Sequence, residues 1–240
     1  MSCLAVVNVA KSFGGLHAVD GVSFDIDEGE LVGLIGPNGS GKTTLLNIIS
    51  GYQPANSGSV LLDAKPIHGL KPERIAQAGL LRMFQLTRVF RRMSTLDNLM
   101  TAGRALGLTH APAQARAELL LAELTLERVR DIDAGQLSGG QQKLLEFGCC
   151  FMVPPRIALL DEPFAAVHPA MKETMARFIR ARHSQSQTFL IVSHDMPVIV
   201  ELCPRTVCMN AGSVIADDAT RTVFSDPVVI EAYLGGESAV

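Results

Sequence analysis

LVGLIGPNGSGKTTLLNIIS, residues 31–50, is the stretch that decides how this 240-residue chain folds. Its first five residues are an uninterrupted apolar run with the pattern of a buried strand, and TTLLNIIS at its end has helical spacing. The glycine-rich segment GPNGSGKT (36–43) therefore joins a strand to a helix, the context a phosphate-binding loop requires. Closely spaced glycines let successive backbone N–H groups turn inward and form a concave nest for an anion. Gly36, Gly39 and Gly41 supply that freedom, with Pro37, Asn38 and Ser40 set between them. The helix expected to begin near Gly41 aims its unpaired N–H groups and positive dipole end at the same phosphates. Lys42 is expected to reach the β/γ oxygens, Thr43 to ligate Mg²⁺ through its hydroxyl, and Thr44 to join the cradle.

Three further segments extend the site. LSGGQ (137–141) fits a capped helix start, because Ser138 followed three positions later by Gln141 is a capping box. Gly139 and Gly140 leave its backbone bare, so that this helix terminus also attracts an anion. IALLD (157–161) reads as a buried strand ending in Asp161 and Glu162. An aspartate at the carboxyl edge of a strand beside a phosphate loop is placed to hold Mg²⁺ through water, and the adjacent Glu162 is the candidate general base. His194 follows the apolar run TFLIVS (188–193) and lies at another carboxyl strand edge, where open α/β sheets place their ligands. It is a candidate γ-phosphate contact.

The rest of the chain sets the frame. Strands alternate with helices and no long linker interrupts them, which is α/β organisation. Short β-patterned runs at 5–9, 22–26 and 59–63 suggest an antiparallel sheet beside the nucleotide core. Residues 96–129 change to helical spacing, as an inserted helical subdomain does. A helix from about Pro169 carries Met171, Met175, Phe178 and Ile179 mostly on one face, a core stripe. The net charge of −3 gives no general push toward nucleic acid. Mean hydropathy is +0.25, yet no uninterrupted stretch is long enough to span a bilayer and the N-terminus does not read as a signal peptide. Five cysteines without paired C-x-x-C spacing indicate free thiols in a reducing cytoplasm, with Cys149 and Cys150 as small core residues.

With LSGGQ following GPNGSGKTT, the chain resembles the ATP-binding subunits of ABC transporters over nearly its whole length. The resemblance implies a P-loop NTPase with a RecA-like core, an antiparallel β subdomain and an inserted α-helical subdomain. Within one ABC ATPase domain (1–240), residues 1–85 and 156–240 form the nucleotide-binding core with its β subdomain, and 86–155 the helical subdomain. It assigns Gln85 in RMFQLT to the loop that joins core to helices and senses the γ-phosphate through Mg²⁺ or water, and Phe13 in KSFGG to adenine stacking. It further implies a head-to-tail ATP sandwich with a second, identical or homologous ATPase chain, in which Ser138, Gly139 and Gly140 of one subunit face the γ-phosphate held by the other. Transmembrane permease subunits are the remaining partners, and the chain is expected at the inner face of the cell membrane as a peripheral cytoplasmic subunit.

Within that family the chain looks most like the ATPases of branched-chain amino-acid uptake systems, through FGGLHAVDGVSF, FQLTRVFRRMSTLDNL, DEPFAAVHP and the ending IEAYLGG. The ATPases of urea or amide uptake and of lipopolysaccharide export are similar. The alternative outside transport is a soluble ABC ATPase of translation or DNA repair, but those usually carry two cassettes or a long coiled coil, and this chain has neither. Three positions depart from the usual pattern: His168 where asparagine is common, Ala166 where a second glycine is common, and Cys149 where an arginine is common. Arg82, Arg88, Arg91 and Arg92 form a basic row, read either as a contact for a permease or anionic headgroups or as a solvated face.

Overall fold

The computed structural model describes residues 2–85 and 87–235. Leu86, at the expected boundary of the helical segment, and Gly236, the last residue of IEAYLGG, lie outside the described residues.

The expected buried strands are the centre of the molecule. β3 (Leu31–Ile35), β7 (Ile157–Asp161) and β8 (Thr188–Val192) are buried at every position. Because side chains alternate along a strand, each feeds two cores. Val32, Leu34, Ile157, Leu159, Leu190 and Val192 join one cluster, whereas Leu31, Ile35, Ala158, Leu160, Phe189 and Ile191 join the other. These strands run parallel in the order β3, β8, β7, and they are flanked by β6 (Leu80–Met83) on one side and β9 (Arg205–Asn210) on the other. β10 (Ser213–Ala219) pairs antiparallel with β9 and closes a six-stranded sheet.

The three short β runs belong to a second, antiparallel sheet in which two strands are much longer than their patterning suggested. β1 (Ser2–Phe13) pairs with β2 (Leu16–Asp27) and with β4 (Ser57–Leu62), and β5 (Lys65–Pro66) completes the order β2-β1-β4-β5. Register shifts along β1 break its strict alternation, which is why only its middle reads as a strand.

α1 (Lys42–Ile49) follows the phosphate loop and buries Leu45, Leu46, Ile48 and Ile49 in the same cluster as Val32 and Leu34. A short helix, α2 (Pro72–Gln77), leads into β6. The expected helical segment comprises α3 (Thr95–Ala105), α4 (His110–Glu123) and α5 (Gly139–Cys149), with two 3₁₀ turns between α4 and α5. Its apolar residues, among them Leu99, Leu120, Leu121 and Leu145, share one cluster with Ala158 and Ile191 of the sheet. α6 (Pro169–His183) buries Met175, Phe178 and Ile179, as its stripe required. Rings from three elements lock this region: Phe147 and Phe151 both lie about 5 Å from Phe178 between ring centroids, and Phe151 lies 6.0 Å from Phe189. Among the described residues three more helices follow, α7 (Met196–Leu202), α8 (Thr220–Ser225) and α9 (Pro227–Gly235).

All five cysteines are free. Burial pushes the Cys149 thiol up to about 12 and Cys150 well above its ordinary value, so both behave as core residues rather than as nucleophiles. Among the described residues, no helix is long and apolar enough to cross a membrane.

Candidate active site

Parallel pairing brings the sequence motifs to one edge. Leu34 is in register with Val192, and Val192 with Asp161, so the carboxyl ends of β3, β8 and β7 lie side by side. The loop after β3, the Asp161–Glu162 pair at the end of β7 and His194 after β8 therefore open on the same cleft of about 810 Å³. Its lining includes Phe13, Asn38, Gly39, Ser40, Gly41, Lys42, Thr43, Thr44, Gln85, Asp161, Glu162 and His194. Gly36 and Pro37 form the back of the loop, where their carbonyls bind Lys42. Leu16, His17, Ala18, Val192 and Ala211 also line the cleft. Sequence reasoning missed them, since long-range contacts bring the β1–β2 hairpin and the β9–β10 turn to the loop, where the Gly212 N–H donates to the Ser40 carbonyl at 3.1 Å and the Asp20 N–H to the Gly212 carbonyl at 2.8 Å.

Lys42 Nζ donates to the carbonyls of Gly36 at 2.7 Å and Pro37 at 2.9 Å and to Ser40 Oγ at 3.1 Å. Its ammonium is thus held against the loop, and burial lowers its pKa. Gly41 caps α1 with φ 101°, and a Cβ there would lie 2.2 Å from the carbonyl oxygen of Ala18. Gly39 also has a positive φ of 80°, but nothing lies within 4 Å of its missing Cβ. Gly41→Ala is accordingly expected to lose about 3 kcal/mol of stability, from a left-handed backbone plus a backbone clash, together with nucleotide binding. Gly39→Ala carries only the backbone cost of about 1 kcal/mol. Denaturant melts of the two variants check this, and equal losses would refute it.

Glu162 is nearly buried, and its Oε2 lies 2.9 Å from His194 Nδ1 and 3.4 Å from Ser193 Oγ. Its backbone is left-handed at φ 51° and is held by its N–H donating to the Val192 carbonyl at 2.8 Å. Strain of this kind in a non-glycine residue persists only where the surroundings enforce it. Ala166, where a glycine is common, is likewise left-handed at φ 55°. His168 is exposed and accepts from the Ala170 N–H at 3.3 Å, so it caps its own helix, α6.

Ser138 and Gln141 form both halves of the expected capping box at the start of α5. Ser138, Gly139, Gly140 and Gln141 do not line the cleft. Ser138 and Gly139 face solvent.

The basic row divides. Arg88, Arg91 and Arg92 are exposed, with the Arg88 guanidinium 3.9 Å from the Phe84 ring centroid. Arg82 is not on that face: its side chain is 4% exposed and its Nη2 lies 2.7 Å from Asp161 Oδ2. The permease, headgroup or solvated reading therefore fails for Arg82, because β6 turns it inward toward α1 and Asp161.

One turn after the capping box, Lys143 and Glu146 are buried against the Gln85 loop. Lys143 Nζ donates to the Gln85 carbonyl at 2.8 Å, while Glu146 Oε2 is buried without a hydrogen-bond partner. Burial outweighs the positive charge of Lys143 and pushes Glu146 up to about 7. The folded state then binds the proton more tightly than the unfolded chain. Stability due to this group is full below the unfolded value of 4.5 and is lost as pH rises through about 7. The loss amounts to roughly 3 kcal/mol. Glu146→Gln removes it, so the variant's melting temperature relative to wild type is expected to rise between pH 5 and pH 8. A pH-independent difference would contradict this.

The model of the ABC transporter family matches residues 19–165. The chain is 36% identical over 248 residues to the high-affinity branched-chain amino acid transport ATP-binding protein BraF of Pseudomonas aeruginosa, with 97% of each chain covered. It is 34% identical to LivG of Escherichia coli, of the same description, over 97% of each. Among solved structures, an ATP-binding cassette of an ABC transporter in its ADP conformation superposes with a TM-score of 0.86 at 32% identity, covering 98% of this chain and 99% of that one. A cassette solved as a dimer in a post-hydrolysis state with ADP and Pi matches at TM-score 0.82 and 26% identity, over 91% and 99%.

Proposed function

The chain belongs to the ABC transporter family, and from that premise and the geometry of its cleft we propose that it powers uptake of branched-chain or related amino acids through a membrane permease. It binds and hydrolyses ATP. The amino-acid assignment is supported by the full-length likeness to ATPases described as serving branched-chain amino acid transport. The catalytic assignment is carried by Lys42, Asp161, Glu162 and His194 meeting on one sheet edge.

In the proposed mechanism the triphosphate rests on the backbone N–H groups of the loop and of the start of α1, with Lys42 against its β/γ oxygens and Phe13 stacked on adenine. Phe13 is half exposed at the end of β1, which suits a ring that gains its partner only on binding. Thr43, Asp161 and Gln85 offer the hard oxygen donors that Mg²⁺ prefers. Mg²⁺ is bound by one or two carboxylates plus substrate phosphates, and Asp161 is such a carboxylate. When bound, the ion neutralises charge on the phosphate oxygens.

Glu162 takes the proton of the attacking water, and His194 orients Glu162 through Nδ1 while its largely exposed ring meets the γ-phosphate. Ser138, Gly139 and Gly140 at the start of α5 supply a donor set opposite the loop from a second chain. The site is therefore complete only in the ATP sandwich. Attachment to the membrane is peripheral, through permease contacts to the exposed Arg88, Arg91 and Arg92 region and the Gln85 loop.

The test is a tagged pull-down from detergent-solubilised native membranes, followed by leucine uptake in proteoliposomes of the recovered complex. Polytopic membrane proteins and ATP-dependent leucine uptake are the expected result. A complex without leucine, isoleucine or valine uptake would overturn the substrate assignment, and purely soluble partners the permease assignment.

A further inference from the structure

Asp161 is a carboxylate that the fold has taken out of water, with a side chain only 6% exposed. A buried carboxylate needs a positive partner. Lys42 lies near but spends its ammonium on two loop carbonyls and Ser40. Lys143 spends its own on the carbonyls of Phe84 and Gln85. Arg82 is the cation that touches Asp161, through Nη2 at 2.7 Å.

The guanidinium is fixed from other sides as well. Nη1 donates to Asn47 Oδ1 at 2.7 Å and Ser50 Oγ at 3.0 Å, both at the far end of α1, and the group lies 4.7 Å from the Phe84 ring centroid, beside Gln85. Its Nε finds no hydrogen-bond partner. The arginine is thus committed to this pairing at the cost of a buried unsatisfied donor, and it ties the loop helix, the carboxylate and the Gln85 loop together.

We propose that Arg82 is a resident counter-cation for Asp161 with which Mg²⁺ must compete, so that the site takes up the metal only together with nucleotide phosphates. The inference rests on reading Asp161 as the carboxylate that holds Mg²⁺. Without metal, Arg82 neutralises Asp161. With metal, one carboxylate faces two cations that repel each other, and the phosphates' negative charge is needed to tip the balance. Removing the charge at position 82 destabilises the metal-free state more than the metal-bound one, and by linkage the metal then binds more tightly.

The experiment titrates Mg²⁺ against the full-length protein with a fluorescent ADP analogue, in wild type, Arg82→Gln and Arg82→Lys, alongside thermal melts in EDTA and in Mg²⁺ with ADP. In Arg82→Gln the half-saturating Mg²⁺ concentration is expected to fall about tenfold, and the melting temperature to drop more in EDTA than with Mg²⁺ and ADP. Arg82→Lys, which keeps the charge, stays within about twofold of wild type. A half-saturation unchanged or raised in Arg82→Gln, with wild type clearly Mg²⁺-dependent, overturns the role of Arg82 and leaves the metal assignment standing. Nucleotide binding indifferent to Mg²⁺ in wild type overturns both. Wild type alone gives a second arm that needs no folded variant: millimolar Mg²⁺ without nucleotide should not raise its melting temperature, and a rise there also overturns the proposal.

Discussion

Glu162→Gln is expected to lower the rate of ATP hydrolysis by at least ~10³-fold while two chains still associate on adding ATP. Glutamine keeps the shape of glutamate and its acceptor oxygen for His194 Nδ1, which sits 2.9 Å from the native carboxylate. What disappears is the capacity to take a proton from water. Little else in the cleft replaces it: Asp161 is paired with Arg82, and the His194 ring lies at the periphery with its side chain 75% exposed. The left-handed backbone of residue 162 is held by main-chain bonds to Val192 and Ala165, so the substitution leaves the local fold intact. Phosphate-release kinetics and light scattering with ATP separate the two effects. Normal turnover would remove Glu162 as the base, and loss of ATP-dependent association would show that the residue serves the interface instead.

What the sequence made legible was local. The strand, glycine loop and helix at 31–50, the capping box at Ser138 and Gln141, and the apolar run into Asp161 and Glu162 each carry their geometry within a few residues. Their convergence followed from a general property of parallel sheets, that ligand sites gather at the carboxyl edge. Arg82 was illegible for the opposite reason. It stands in a row with Arg88, Arg91 and Arg92, and in one dimension a basic row reads as solvated charge. Burial comes from period two along β6, which turns Arg82 to the side of Leu80 and hence toward α1, and from β6 lying next to β7. Strand order is a long-range fact that no local pattern encodes. The hairpin of β9 and β10 was missed on a smaller scale, because its turn places Ala211 at φ 45° ahead of Gly212, and alanine is no signature of a left-handed turn.

Lys42→Ala is the second large effect: ATP affinity is expected to fall by about one to two orders of magnitude and hydrolysis by still more. Three acceptors, the Gly36 and Pro37 carbonyls and Ser40 Oγ, hold the ammonium against the loop before any nucleotide arrives. The charge is therefore positioned in advance, and binding spends little on ordering a long side chain. Its value grows as negative charge shifts on the γ-phosphate oxygens, so the rate suffers more than the affinity. The fold should lose some stability as well, since Gly36 and Ser40 are buried and lose a donor, and the nucleotide-free melting temperature should fall by several degrees. Lys42→Arg is not expected to rescue function, because a planar fork cannot satisfy three acceptors grouped around one nitrogen. Fluorescent-nucleotide titration and phosphate release on both variants decide the matter. If Lys42→Ala binds ATP like wild type yet hydrolyses slowly, the lysine acts on the transition state alone. If Lys42→Arg is fully active, the site reads charge without geometry, and the three-acceptor cradle has no catalytic purpose.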